Sequence, residues 1–350
     1  MKASFISTAT LLNSTRWDMA RLQAGIVKSN IEIDKGRYAD VGLELGYKTG
    51  LTLDLRQQLD DSVAQKQRND LTSVRLAASQ SVLNQIRSEG EAFLALVAPG
   101  KLSDSSASVI TQAAATKLTS FIAQMNTSTA GQFVFAGINT EQRPLKGYET
   151  SPQSDAKKAF ADAFQTAFGF QPGTQPGSAK ITAAQMQSFL DGPATALFAD
   201  PLWGKNWSNA ANTNIRTDIS PSETVETSAN ANAQAFRQLA MLYSIGSDIG
   251  LGSLSSATQE VVYDKLRSIS GQATLAATSI QADLGTIEAR LVTLGNQHEA
   301  RKTILTGGVT ALEGVDAAEA KTRLDGLTTQ LQISYSLTSQ IKKLNLIDYV

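Results

Sequence analysis

Cysteine is absent from all 350 residues. Its absence excludes disulfides, thiolate nucleophiles, iron–sulfur clusters and cysteine-bound zinc. Histidine occurs once, as His298, so multi-histidine metal sites and most histidine relays lack their parts. Long apolar runs are missing as well. The longest, Ala92–Ala98, is seven residues, against the ~20 that a membrane helix needs, and no membrane insertion is expected. Neither charge predominates: 31 Lys and Arg stand against 32 Asp and Glu. That balance gives no broad pull toward nucleic acid or an anionic surface. No catalytic residues, metal or cofactor are expected, and the chain is not read as an enzyme.

Proline is scarce and unevenly placed. All 8 prolines lie between Pro99 and Pro221, and residues 1–98 and 222–350 have none. Proline inside a helix costs about 3 kcal/mol, so two long tracts are free to form uninterrupted helices. The middle also gathers aromatics, among them Phe133, Phe135, Phe160, Phe164, Phe168, Phe170, Phe189, Phe198, Trp203 and Trp207. Two helical arms around a loop-rich insert are the predicted organisation. With 42% hydrophobic and 18% charged residues, a buried core is expected. The length suggests two or three folding units.

The arms carry coiled-coil periodicity. Leu12, Thr15, Met19, Leu22, Ile26, Ser29 and Ile33 alternate by three and four residues, and Gly36 offers a break. A second stripe runs Leu71, Val74, Ala78, Val82, Ile86 and Phe93. Pro99-Gly100 should stop it, Asp104 or a nearby serine should cap the next helix, and Gly131 should end that helix. In the second arm Leu266, Ile269, Ala273, Ala276, Ile280, Leu284, Ile287, Leu291, Leu294 and His298 form one stripe. Gly307-Gly308 is expected to break it. Ala317, Ala320, Leu324, Leu327, Leu331, Ile341 and Leu344 supply the last helix.

Thr15, Ser29, Ser334 and Thr338 stand where a self-sufficient coiled coil would place leucine. A buried leucine contributes roughly 1.5–3 kcal/mol that a serine does not replace. These ends are expected to be completed by other subunits. The assembly residues so predicted are Leu12, Met19, Leu22, Ile26, Ile33, Leu324, Leu327, Leu331, Ile341 and Leu344.

Within the insert, Lys157–Phe168 and Thr182–Leu190 read as short helices. Asn214–Ile219 and Glu223–Thr227 read as strands around Pro221, and Ala233–Ile245 as a returning helix. The predicted fold is mainly α: an antiparallel long-helix rod with coiled-coil-like arms, a β-hairpin and a small α+β inserted domain. Its expected divisions are 1–50 (amino-terminal assembly helix), 51–147 (first rod half, hairpin at about 132–145), 148–230 (variable insert), 231–310 (second rod half) and 311–350 (carboxyl-terminal assembly helix).

Residues 131–145 read Gly-Gln-Phe-Val-Phe-Ala-Gly-Ile-Asn-Thr-Glu-Gln-Arg-Pro-Leu. This resembles the segment of flagellin-like axial proteins in which an aromatic strand follows glycine and turns after Phe-Ala-Gly, and within that family it is similar to the hook–filament junction group. Gly100-Lys101-Leu102-Ser103-Asp104, Ile33-Asp34-Lys35-Gly36-Arg37 and Gln330-Leu331-Gln332-Ile333-Ser334-Tyr335 fit the same pattern. The resemblance covers both arms and leaves 148–230 unmatched. The acidic stretch usual after the Gly-Arg turn is replaced by Tyr38–Gly50. The ending Ile347-Asp348-Tyr349-Val350 lacks the basic or leucine-rich terminus common in flagellins.

The resemblance implies a structural, extracellular flagellar protein that self-assembles through paired terminal helices. By the same route its partners would be a hook-side junction protein, flagellin, the flagellar export machinery and an export chaperone. Ser4, Ser7, Thr8, Thr10 and Asn13 interrupt the apolar core that a cleaved signal requires, so export without cleavage is expected. The filament subunit itself, or a secreted oligomeric binding or adhesive module, are the alternatives.

Other motifs have plainer readings. His298-Glu299 starts a zincin-like pattern, but Lys302 occupies the second ligand position. Ser154-Asp-Ala-Lys157 and Lys48-Thr-Gly50 imitate penicillin-binding motifs in reversed order. Asn13, Asn126 and Asn206 begin glycosylation sequons. Trp203 and Trp207, four apart, suit a carbohydrate platform less well than a small core.

Overall fold

A computed structural model describes residues 8–98 and 104–347, with side chains over 13–98 and 106–340. It is mainly α. Ten α-helices, counted among the described residues, run in the order α1 (Thr8–Lys35), α2 (Val41–Leu45), α3 (Thr49–Val97), α4 (Asp104–Met125), α5 (Asp155–Phe168), α6 (Ala183–Phe189), α7 (Leu202–Asn206), α8 (Gln234–Asp248), α9 (Ser256–Glu313) and α10 (Ala317–Ile347). Two antiparallel pairs, β1 (Ser128–Thr129) with β2 (Gln132–Phe133) and β3 (Arg216–Ser220) with β4 (Glu223–Glu226), complete it. The chain forms two compact units, a terminal one of 1–64 and 297–350 and a middle one of 65–296.

In the terminal unit, α1 ends where Gly36 turns to φ +63°, a left-handed conformation open to glycine at little cost. The chain then ties back to the α9–α10 turn. Tyr38 N donates to Glu313 O (2.9 Å) and Val315 N to Gly36 O (3.2 Å). Asp316 caps α10, accepting from Ala318 N at 2.7 Å. Along the α1–α10 pair, Glu32 meets Arg323 and Gln23 meets Tyr335. A side chain built at Gly25 would meet Leu327 at 3.1 Å. Residue numbers fall on α1 as they rise on α10, so the helices are antiparallel.

The middle unit centres on α8. Its residues Ala235, Phe236 and Leu239–Gly246 are all buried, the mark of a helix surrounded on every side. A Cβ at Gly246 would lie 2.8 Å from Ala114 on α4, so glycine sets that close approach. Tyr243 meets Phe93 of α3 edge-on at 5.4 Å and Phe121 of α4 at 6.3 Å. Gln80 Nε2 donates to Gln281 O (2.9 Å) and Ser270 Oγ to Gly90 O (3.2 Å), joining α3 to α9.

Segment 148–230 shares this core. Tyr148 Oη donates to Asp248 at 2.5 Å, Trp203 Nε1 to Asn232 at 2.7 Å, and Thr258 Oγ1 to Ile181 O at 2.7 Å. Burial pushes the Asp248 carboxyl up and the Tyr148 hydroxyl up, favouring the neutral form of each. α5 is capped by Ser154 and ends at left-handed Gly169 (φ +84°), with Phe160 and Phe164 buried. Thr182 and Gln185 form a capping box on α6.

Four sequence expectations change. The expected α3 stripe holds only in its second half: Val82, Ile86 and Phe93 are buried, while Leu71 and Val74 face solvent, 74% and 57% exposed. The buried register of α3 is instead Asn69, Thr72, Leu76, Ser79, Leu83, Ile86, Gly90, Phe93 and Val97. α4 ends at Met125, because Ala130 and Gly131 (φ 51° and 79°) make the β1–β2 turn. The hairpin thus lies at 128–133, upstream of most of 132–145, and 134–145 is irregular. Gly307-Gly308 breaks nothing: α9 continues to Glu313, and Gly308 gives close approach to Leu55, 3.3 Å from its would-be Cβ. α4 begins at Asp104; the expected stop at Pro99-Gly100 and the cap by Asp104 or a nearby serine lie outside the described residues and side chains.

Candidate assembly surface

The α1–α10 pair shows how the predicted assembly residues are used. Met19, Leu22, Ile26 and Ile33 on α1, and Leu324, Leu327 and Leu331 on α10, are half-buried. They form the inner stripes with which the helices cover one another. Ser29 is buried and Thr15, Ser334 and Thr338 half-buried on the same stripes. Thr338 Oγ1 returns its hydroxyl to Ser334 O at 2.7 Å, so it costs the seam no orphaned donor. Leu12, Ile341 and Leu344 lie outside the described side chains.

A second stripe on α1 faces away. Trp17, Ala20, Ala24, Val27 and Ile31 follow one another by three and four residues, and all are exposed. Trp17 is 78% and Val27 57% exposed. On α10, Ile333, Tyr335 and Leu337 are likewise exposed at about half of their surface. Leucine, isoleucine and methionine mark the inner seam in the sequence, whereas this outer stripe is not so marked. Alternation by three and four was its only signal, weakened by two alanines.

The base of the pair is fixed by two buried carboxylates that the sequence did not single out. Glu32, fully buried, accepts from Arg323 Nη1 at 3.2 Å, with Lys28 Nζ at 3.9 Å. Glu313, 2% exposed, takes both Arg56 Nε (2.8 Å) and Arg56 Nη2, with Arg37 Nη1 at 3.4 Å. The Arg56 hydrogen bond, with support from Arg37, holds the Glu313 carboxyl below its ordinary range. This forked pair ties α3 to the end of α9.

The remaining candidates are structural. His298 is half-buried, its Nδ1 3.0 Å from Ser62 Oγ. Among the described residues no group of three or more His, Asp or Glu is placed to hold a metal, and no described helix is long and apolar enough to cross a membrane. Trp203 and Trp207 stack at 5.6 Å and are buried, Trp207 stacking also on Tyr148 at 5.1 Å. No sugar platform is presented. Ser154 Oγ is spent on Lys157 N and Tyr148 O. Asn206 is buried, Asn126 is bonded to Leu145, and Asn13 is exposed. Phe135 is fully buried, with its carbonyl accepting from Ala231 N at 2.8 Å. Gly137 (φ +62°) lies under the carbonyls of Ala211 and Thr213, where a Cβ would come within 2.8 and 2.5 Å. The Phe-Ala-Gly turn is thereby locked to the 208–213 segment.

Comparison with known proteins supplies the context. Residues 6–140 match the bacterial flagellin N-terminal helical region. Residues 268–350 match the bacterial flagellin C-terminal helical region. Between them the two matches span more than half of the chain. No curated protein matches the sequence. Among solved structures, a "putative flagellar hook-associated protein from Vibrio parahaemolyticus" superposes with TM-score 0.51 at 11% identity, over 76% of this chain and 97% of that one. At that identity the likeness is one of fold.

Proposed function

We propose, since this chain belongs to the flagellin-like family of structural flagellar proteins, that it is the subunit joining hook to filament, polymerising through its paired terminal helices. One observation carries the reading: the α1–α10 pair closes its inner seam within the chain and leaves a second apolar stripe open. A helix with two apolar stripes has one more than its own partner can cover. In a ring or tube of subunits the outer stripe of each copy is buried, and many small apolar gains accumulate only in the assembled state. Met19, Leu22, Ile26, Ile33, Leu324, Leu327 and Leu331 then act by building the pair that presents this stripe.

The partners in this reading are further copies, a hook-side junction protein and flagellin. The flagellar export machinery and an export chaperone would bring the subunit out of the cell without cleavage of a signal. The flagellin matches at both ends also favour a second reading, that of the filament subunit itself. Deleting the protein from motile cells separates the two. Completed hooks with filament subunits shed into the medium are the expected result. Hooks without filaments and no shed subunits would overturn the junction role in favour of the filament subunit.

A further inference from the structure

The middle unit carries a groove of about 350 Å³ between α3 and the two hairpins, lined by Leu71, Val74, Arg75, Gln132, Ile215 and Thr217 among others. Four lining residues are threonines (Thr72, Thr129, Thr217 and Thr227), one is a cation, and none is acidic. Arg75 is half-buried, and the contact it makes is to a backbone oxygen, Phe133 O, at 3.4 Å. Burial with no acid beside it lowers its pKa.

Other withdrawn arginines of the chain have carboxylates. Arg237 pairs with Asp200 at 3.0 Å and Arg267 with Asp264. A guanidinium taken partly from water without a counter-charge has lost hydration and gained little. Its planar fork of donors fits a carboxylate in two-point fashion. On the rim, Leu71 and Val74 stand 74% and 57% exposed, next to Arg75 on α3. The occupant that satisfies both features is a carboxylate side chain flanked by an apolar one.

We propose that this groove receives an acidic side chain, with an apolar neighbour, from a second copy of this chain, and that Arg75 supplies the counter-charge. The proposal rests on the assembly reading above and adds to it a surface on the middle unit. Charge complementarity selects a second copy: an assembling chain meets its own surface at high local concentration, and that surface offers the required chemistry. Ile138, 59% exposed, stands three residues from exposed Glu141, and Val292, 61% exposed, lies one turn from Glu288 on α9.

The test uses the full chain in motile cells. A photo-reactive benzoylphenylalanine replaces Leu71, and two differently tagged copies are expressed together. Irradiation should join one tag to the other, through a peptide with Asp or Glu near the attachment point. Joining to a different protein, or no joining between tags in assembled material, overturns the proposal. In parallel, Arg75→Gln should shift the ratio of shed to hook-bound protein by about tenfold or more, the worth of a charged hydrogen bond. Its monomer should melt as the unmodified protein does, and Arg75→Lys should recover part of the loss. An unchanged ratio for Arg75→Gln would overturn the groove alone, leaving the junction role intact. If the unmodified protein itself does not attach to hooks, both readings fall.

Discussion

Glu313 shows what a single residue does for the terminal unit. Its side chain is buried against Arg56 and Arg37 at the turn that joins α9 to α10. The hydrogen bonds lower its folded pKa beneath the ordinary 4.5. Its contribution is therefore complete above pH 4.5, the unfolded value, and is lost as pH falls through the folded value. Glu313→Gln should cost about 1–3 kcal/mol at pH 7. It should also flatten the loss of stability that the unmodified protein shows on acidification below pH 4.5. Urea titrations at pH 7 and at pH 3.5 check this, and a variant as acid-sensitive as the parent would refute the role. Neither Glu32 nor Glu313 was legible beforehand. A lone glutamate in a helical repeat looks like any solvated charge until the fold brings an arginine across from it.

At the scale of elements, α1 is the instructive helix, with one stripe for its own partner and one left open. A charge on the open stripe disturbs nothing within the chain, yet must be buried unpaired when subunits meet. Val27→Asp and Ile333→Asp should therefore be exported and keep their helical circular dichroism, but fail to support filaments. Full motility of cells carrying both substitutions would remove the outer stripe from the assembly surface. The inner stripe was readable because Leu, Ile and Met mark it. The register of α3 was not. Its buried positions include Asn69, Thr72, Ser79 and Gly90, while leucine and valine at 71 and 74 face outward. Small and polar residues enter that seam because hydrogen bonds cross it or run beside it, as from Asn69 Nδ2 to Ile219 O (3.0 Å) and Ser270 Oγ to Gly90 O (3.2 Å). Hydrophobicity alone then points to the wrong face at Leu71 and Val74, though to the right one at Val82, Ile86 and Phe93.

At the scale of the whole molecule, segment 148–230 is joined to the core of the middle unit. Tyr148, Trp203 and Ile181 bond to residues of α8, its approach and α9. Replacing 148–230 by a short Gly/Ser linker would bare apolar surface on α8, each large side chain worth roughly 1.5–3 kcal/mol of burial. Such a protein should keep much of its far-ultraviolet helical signal. Its near-ultraviolet signal should be lost, and its main melting transition should move down by well over the few degrees that ~1 kcal/mol brings. An unchanged transition would mean that the insert folds by itself and lends nothing to the arms.

The amino-acid sequence by itself determined the helical class, the long proline-free arms, the short helices α5 and α6, the β3–β4 pair and the lack of cysteine chemistry. All of these follow from local rules: backbone restriction by proline, capping by Ser154 and Thr182, and periodic apolar positions. Only the tertiary structure decided which stripe of α1 is spent inside the chain. It also decided that Gly307-Gly308 continues a helix and that Arg75 stands in a groove without an acid. The physical reason is the same in each case. Burial and counter-charge belong to pairs of residues far apart in sequence, and no local pattern states which of two chemically adequate faces finds its partner first.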